Sequence, residues 1–295
     1  MDFEHLKVAC RDGFSRVPLL LIYQMGKVAS QTIQATLNNS DVGRKITRLH
    51  YLSSNAIAAS KRQLHNRAVP ENTKESIRYQ IDVALRLYYT LAARRIWRML
   101  DSQSPKVEMI VGVREPVGFM LASIFQNHTA FFPSLDDVDP DACRDILLQA
   151  PSVSEDHRRF MDFAFSLMSE WFDEELKTVA GIDVYATPFP REKGYAIVEN
   201  KHVRALVYRF ENLNRMKPML EEFLQREISS ISSQNIGREK DYGEAYARVK
   251  EKLRLPQNFL EHTYAIRMVR HFYSEKERQE LTARWSSGAT IGFRK

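Results

Sequence analysis

Three residues stand where a cation or a base could act on an anionic group. Lys27 follows Gly26 in the stretch Pro18–Leu37, PLLLIYQMGKVASQTIQATL. Arg114 ends the apolar run KVEMIVGV at 106–113, and His50 lies near the end of ITRLHYL at 46–52. Leu19 to Tyr23 is short, apolar and uncharged, as an interior parallel strand requires. Gly26 breaks it, and an amphipathic segment with Ile33 and Leu37 on one face follows. A strand passing through a tight turn into a helix leaves backbone N–H groups unpaired at the positive end of the helix dipole. That is an anion site, most often a phosphate site, and Lys27 would deepen it. The same residues also fit an ordinary βα turn with one exposed lysine, because GxxxxGK[ST] is missing.

The elements around these residues alternate. After the first strand and helix come a turn cluster at 38–44 and a second strand at 46–52. Residues 53–72 are polar and basic, and 74–100 read as a long helix with an arginine-rich outer face. A third strand runs into Arg114, Glu115 and Pro116, and Pro116 opens a helix. Ser152 with Glu155 reads as a capping box for a helix burying Phe160 to Trp171. GIDVYA (181–186) and ALVYRF (205–210) read as further strands, with PFPREKGY between them as an exposed turn. The remainder reads as helices at 242–253, at 259–272, and from a Ser274–Glu277 cap to Trp285. Alternation of this kind predicts an α/β fold, an open parallel sheet flanked by helices, with a helical C-terminal region. One domain over 1–295 is expected, with its sheet core at 17–213 and the helical part at 214–295.

Composition narrows the function classes. The chain has 295 residues and a formal charge of +6, from 43 basic and 37 acidic residues. That modest surplus suits a pocket for an anionic ligand more than a nucleic-acid stripe. Cys10 and Cys143 form neither a zinc pattern nor a disulfide framework. Asp136, Asp137, Asp139 and Asp141 lack the glycine and terminal glutamate of a calcium loop and read as a solvated loop. No apolar run approaches the roughly 20 residues of a membrane span, and the first residues are not signal-like. A cytoplasmic protein without a metal is expected.

Several motifs taken together resemble the sulfotransferase superfamily: IYQMGKVASQTI, VGVREPVGFMLASIFQN, WFDEELKTVAGIDVY, YRFENL, NIGREKDYGEAY and RMVRHFYSEKE. The chain is most similar to the bacterial branch labelled capsular polysaccharide synthesis, or carbohydrate sulfotransferase-like. The resemblance spans residues 19 to about 285. It implies a P-loop-like fold that binds 3′-phosphoadenosine 5′-phosphosulfate and releases adenosine 3′,5′-bisphosphate. It places the 5′-phosphosulfate at Gly26, Lys27, Val28, Ala29, Ser30 and Gln31, with Lys27 catalytic. It places the 3′-phosphate at Arg114 and a serine on the next helix, where Ala122 stands at the usual position and Ser123 beside it. Phe210 would lie by the nucleotide, and a loop with Asn235, Gly237 and Lys240 would close over it. The acceptor hydroxyl, on a carbohydrate or another hydroxyl compound, needs a base. His50 is the first choice, with His65, Glu75 and His128 as alternatives. The basic stretch from Lys61 to Arg78 would suit an acidic glycan. Two other readings share these residues: a P-loop kinase, and a non-catalytic glycan- or nucleotide-binding protein of the same fold.

Overall fold

The computed structural model describes residues 19–58, 93, 96–98, 106–231 and 241–287. Strand β1, Leu19–Tyr23, is buried along its whole length. Lys45–Leu49 forms β2 and Val107–Val113 forms β3, each parallel to β1 on opposite sides. Val203–Arg209, β5, runs parallel to β3 in the register Val107↔Val203 to Val113↔Arg209. Tyr195–Glu199, β4, closes the sheet antiparallel to β5, giving the order β2-β1-β3-β5-β4. The sheet is therefore mixed rather than wholly parallel.

Helices cover both faces because strand residues alternate between them. Leu20, Ile22, Ile110, Leu206 and Tyr208 pack on one face against α1, Ser30–Asn39. The α2–α9 series continues with Pro116–Gln126 (α2), Pro140–Leu147 (α3), Glu155–Trp171 (α4) and Met216–Leu224 (α5). Gly243–Lys252 (α6), Gln257–Tyr264 (α7), Arg267–Phe272 (α8) and Glu275–Ser287 (α9) complete it. Helix α5 joins α1 on the first face. Leu21, Tyr23, Met109, Val111 and Val207 point the other way, into a larger core with α2, α4 and the last four helices.

Four local expectations are corrected. GIDVYA is not a strand: Gly181, at φ 66°, ends the preceding helical turn, and the Asp183 carboxylate accepts the Tyr185 N–H to start a 3-10 turn at Val184–Ala186. PFPREKGY is not all turn, since Tyr195 begins β4 directly after Gly194, which adopts φ 79°. The cap of α4 is Ser154 rather than Ser152, with its hydroxyl accepting the His157 N–H. The segment expected as one helix over 259–272 is two, α7 and α8, broken at Ala265 and Ile266. The Ser274–Glu277 box forms as read: Ser274 N–H donates to Glu277 at 2.7 Å and Glu277 N–H to Ser274 at 3.2 Å. The acidic tract works partly as caps, with Asp139 accepting from Ala142 N–H and Asp137 paired with Ser134. The long helix read over 74–100 lies outside the described residues except at 93 and 96–98, where the chain is helical. Among the described residues no helix is long and apolar enough to cross a membrane.

Candidate active site

The strand order creates one privileged place. From β1 the chain passes through α1 to β2 on one side, while β3 lies on the other. Connections that diverge from adjacent parallel strands leave a crevice at their carboxyl ends, where ligands of open α/β sheets bind. The residues there are the loop after Tyr23 and the turn beginning at Arg114.

The loop 24–29 has an unusual conformation. Lys27 and Ala29 adopt φ 64° and 66°, left-handed values that cost a residue with a Cβ about 1–2 kcal/mol. Gly26 is not among the positive-φ residues, and a Cβ built on it meets nothing within 4 Å among the described residues. The strained positions thus carry side chains, and the glycine stands where open space adjoins the loop. Ala29 caps α1 without a side-chain hydrogen bond. Ser30 opens the helix half-buried and Gln31 is exposed. Below, Val28 packs against Gly112 of β3, where an added Cβ would sit 2.8 Å from the Val28 methyl and 2.7 Å from the Tyr208 hydroxyl. The Tyr208 hydroxyl shares its proton between the Val28 carbonyl and Gln24 Oε1. Burial pushes that phenol well above its ordinary pKa.

Arg114 joins the two sides of the crevice. Its Nη1 donates to the Lys27 carbonyl at 3.0 Å and its Nη2 to the Tyr246 hydroxyl at 3.1 Å. The guanidinium carbon lies 4.1 Å from the centre of the Phe210 ring. The side chain is 8% exposed, and these three partners are neutral. A nearly buried cation held by neutral groups is poised to take an anion. The Glu115 carboxylate feels the Arg114 charge but makes no ion pair with it among the described residues; it accepts from the N–H groups of Val117 and Gly118 and from the Tyr264 hydroxyl. Burial, and then the Glu211 charge, raise the Glu115 pKa.

His50 lies behind the same loop. Its Nδ1 is 2.8 Å from the Gln24 carbonyl. A carbonyl only accepts, so Nδ1 carries the proton and the neutral ring keeps its lone pair on Nε2. Burial lowers the His50 pKa against the opposing Gln24 carbonyl, and the Arg48 and Lys27 charges add to the lowering. The segment after β2 is fixed from a distance. Trp171 Nε1 donates to the His50 carbonyl at 2.8 Å. Glu175 accepts from the Tyr23 hydroxyl (2.5 Å), Leu52 N–H (2.6 Å), Ser53 N–H (2.9 Å) and Ser53 hydroxyl (2.7 Å). Glu175 reaches there from a single π-helical turn, Phe172–Lys177, which continues α4.

The structure brings Lys27, Arg114 and Phe210 together through contacts, and places His50 on Gln24 of the same loop. It does not bring Ser123 to Arg114: Ser123 is buried in α2 and its hydroxyl donates to the Phe119 carbonyl at 2.9 Å, while Ala122 is the partly exposed neighbour. His128 bonds through Nδ1 to the Phe125 carbonyl and packs its ring edge-on to Tyr242. Gly237, Asn235, Lys240, His65, Glu75 and the basic stretch 61–78 lie outside the described residues. Sequence reasoning missed Gln24, Glu175, Trp171 and Tyr246. For Gln24 a signal existed, a polar residue directly following a wholly apolar strand.

The fold is that of an α/β protein with a mostly parallel sheet, and Lys27 and Arg114 stand at the crevice of its strand-order reversal. Residues 152–274 match a family model described as "NKWYS: Putative capsular polysaccharide synthesis protein". The match covers under half of the chain; it contains Phe210, Tyr246, Trp171 and Glu175, but not Lys27, His50 or Arg114. Neither the curated proteins nor the solved structures contain a match to this chain.

Proposed function

We propose that the protein transfers a sulfuryl group from 3′-phosphoadenosine 5′-phosphosulfate to a hydroxyl of a carbohydrate, within polysaccharide synthesis. The single observation that supports it most is the Arg114 guanidinium, nearly buried on neutral partners and bonded to the Lys27 carbonyl across the crevice. Two cationic side chains from different strand ends suit a ligand with two separate anionic groups, as this donor has. The open space at Gly26 allows such a ligand to approach the backbone closely, and left-handed residues in a turn direct successive N–H groups to one side. Gln24 Nε2, buried with no partner among the described residues, offers a further donor beneath the loop.

The donor supplies an activated sulfuryl group with a good leaving group. The protein's own task is to hold an in-line geometry and to stabilise charge as it develops on the leaving oxygen. Lys27 is suited to that as a compact point charge. Arg114, with Phe210 against its face, would fix the nucleotide end. His50 Nε2, unprotonated at neutral pH, accepts the proton of the acceptor hydroxyl. The polysaccharide-related family match over residues 152–274 supports a carbohydrate acceptor.

The test is direct. Adenosine 3′,5′-bisphosphate should bind in the presence of a chelator and outcompete ATP, and labelled sulfate should pass from the donor to members of a glycan panel. Lys27→Ala should abolish transfer. ATP binding that is equal or tighter and requires magnesium would sink the proposal in favour of a kinase. The placement of Ser123 favours a second reading, nucleotide binding without transfer; tight bisphosphate binding with no transfer to any acceptor would select it.

A further inference from the structure

A second concavity lies apart from the crevice loops. Helices α2, α4 and α7, with the turn after α3, enclose a cleft of about 380 Å3. That volume falls in the range of small-molecule sites, roughly 300–1,000 Å3. Its floor is apolar, from Met120, Leu147 and Met161. One wall is a stripe of α4 at helical spacing: Asp162, Phe165, Ser166, Ser169 and Glu170. The other is Phe259, His262 and Thr263 of α7, again one helical face.

One buried polar group of this cleft lacks a partner among the described residues, and others keep spare acceptor capacity. Thr263 is fully buried, and its hydroxyl has no hydrogen-bond partner among the described residues. A threonine inside a helix ordinarily turns its hydroxyl onto the preceding turn; this one remains for whatever occupies the cleft. Ser166 and Ser169 donate to the carbonyls of Phe163 and Phe165, which leaves their oxygens as acceptors. Gln149 Nε2 holds the Asp162 carboxylate at 2.7 Å. The Phe165 and His262 rings lie within 16° of parallel with centres 6.1 Å apart.

Charge narrows the ligand. Among the described residues Asp162 and Glu170 line the cleft and no lysine or arginine does, on a chain whose net charge is +6. An anionic ligand, including the nucleotide of the crevice or an acidic glycan, is disfavoured here. Aromatic rings above an apolar floor, edged by carboxylates and hydroxyls, match a ligand with C–H faces and many hydroxyl protons. We propose that this cleft binds a sugar unit of uncharged or amine-bearing type. Its carboxylates accept the sugar's hydroxyl or ammonium protons, and its phenyl rings take the C–H face. The proposal stands independently of sulfuryl transfer at the crevice.

The experiment uses the full chain and trimers of N-acetylglucosamine, glucosamine and galacturonic acid, with trilysine as a control. Binding is read by saturation-transfer NMR and calorimetry. One or both of the first two trimers should bind at millimolar Kd, and the galacturonate trimer should not. Phe165→Ala should weaken binding by about tenfold or more. Thr263→Val should weaken it several-fold while adenosine 3′,5′-bisphosphate binding and circular dichroism stay unchanged. Should Phe165→Ala disturb the fold, Ser166→Trp fills the cleft from a half-exposed position and should have the same effect. Failure of both favoured trimers to bind, equal binding of the galacturonate trimer or of trilysine, or binding unchanged in these variants would overturn the proposal.

Discussion

Gly26→Ala separates what the fold needs from what a ligand needs. An added Cβ meets no atom of the described residues within 4 Å, and Gly26 does not occupy the left-handed region that Lys27 and Ala29 occupy. The described residues therefore give no reason for glycine here. Replacing it restricts the unfolded chain and should stabilise the protein by about 0.4–1 kcal/mol. In a chain of this size that is a rise in Tm of about 1–3 °C. The ligand should respond in the opposite direction. A methyl group placed in an occupied space costs about 1–3 kcal/mol, which is a roughly 5- to 150-fold weaker Kd. Scanning calorimetry gives the first quantity, and titration with adenosine 3′,5′-bisphosphate gives the second. A raised Tm with an unchanged Kd would refute the idea that the space beside Gly26 admits the ligand. A Tm lowered by several degrees would show that the backbone itself requires glycine.

Three further outcomes follow from the contacts. Arg114→Lys keeps the charge but loses the fork that reaches the Lys27 carbonyl and Tyr246 together; bisphosphate binding should weaken by at least about tenfold, and an unchanged Kd would remove Arg114 from the site. Glu175→Ala strands four buried donors at once and should cost at least about 3 kcal/mol in urea unfolding, whereas Ser53→Ala should cost about 1 kcal/mol; a loss within the range of surface substitutions would show that the cluster does not hold the segment after β2. Because the His50 pKa is lowered in the folded state, the unfolded chain binds its proton first as pH falls. Stability should decline below about pH 6.5, and transfer should stay level to a pH below that value before dropping. His50→Gln should flatten part of the stability decline, and an unaltered slope would mean that His50 is not a contributor.

How far the sequence reveals this arrangement depends on the range of the interactions. LLLIY and VEMIVGV are buried on both faces, so composition alone marks them as strands. Strand β4 escaped because it is an edge: only Tyr195 is buried, and the others are half-buried or exposed, so no apolar run or clean alternation announces it. GIDVYA misled in the opposite sense, since its apolar residues bury themselves from a turn set by Gly181 and Asp183. Lys27, His50 and Arg114 could be named because parallel strands bring their carboxyl ends to one edge. The groups that hold them could not: Glu175 meets Ser53 across 122 positions, and Tyr246 meets Arg114 across 132. Neither residue type nor local spacing encodes such pairings. Ser123 shows a related limit, since helical register decides whether a serine serves a site or its own backbone.

The π-helical turn at Phe172–Lys177 has a consequence for how this segment tolerates change in length. A π-helical turn accommodates one more residue than the α-helical turn it replaces. Removing a residue between Phe172 and Glu175 would let α4 run on as regular helix, locally the easier conformation. It would also change the angle and depth at which the Glu175 carboxylate leaves the helix, moving it off the positions where it meets Tyr23, Leu52 and Ser53. The irregularity thus works as a spacer of one residue, and length in this segment is less free than its surface loops would suggest. Of the substitutions and deletions open to it, a single-residue deletion here would make the helix more regular and the crevice less ordered.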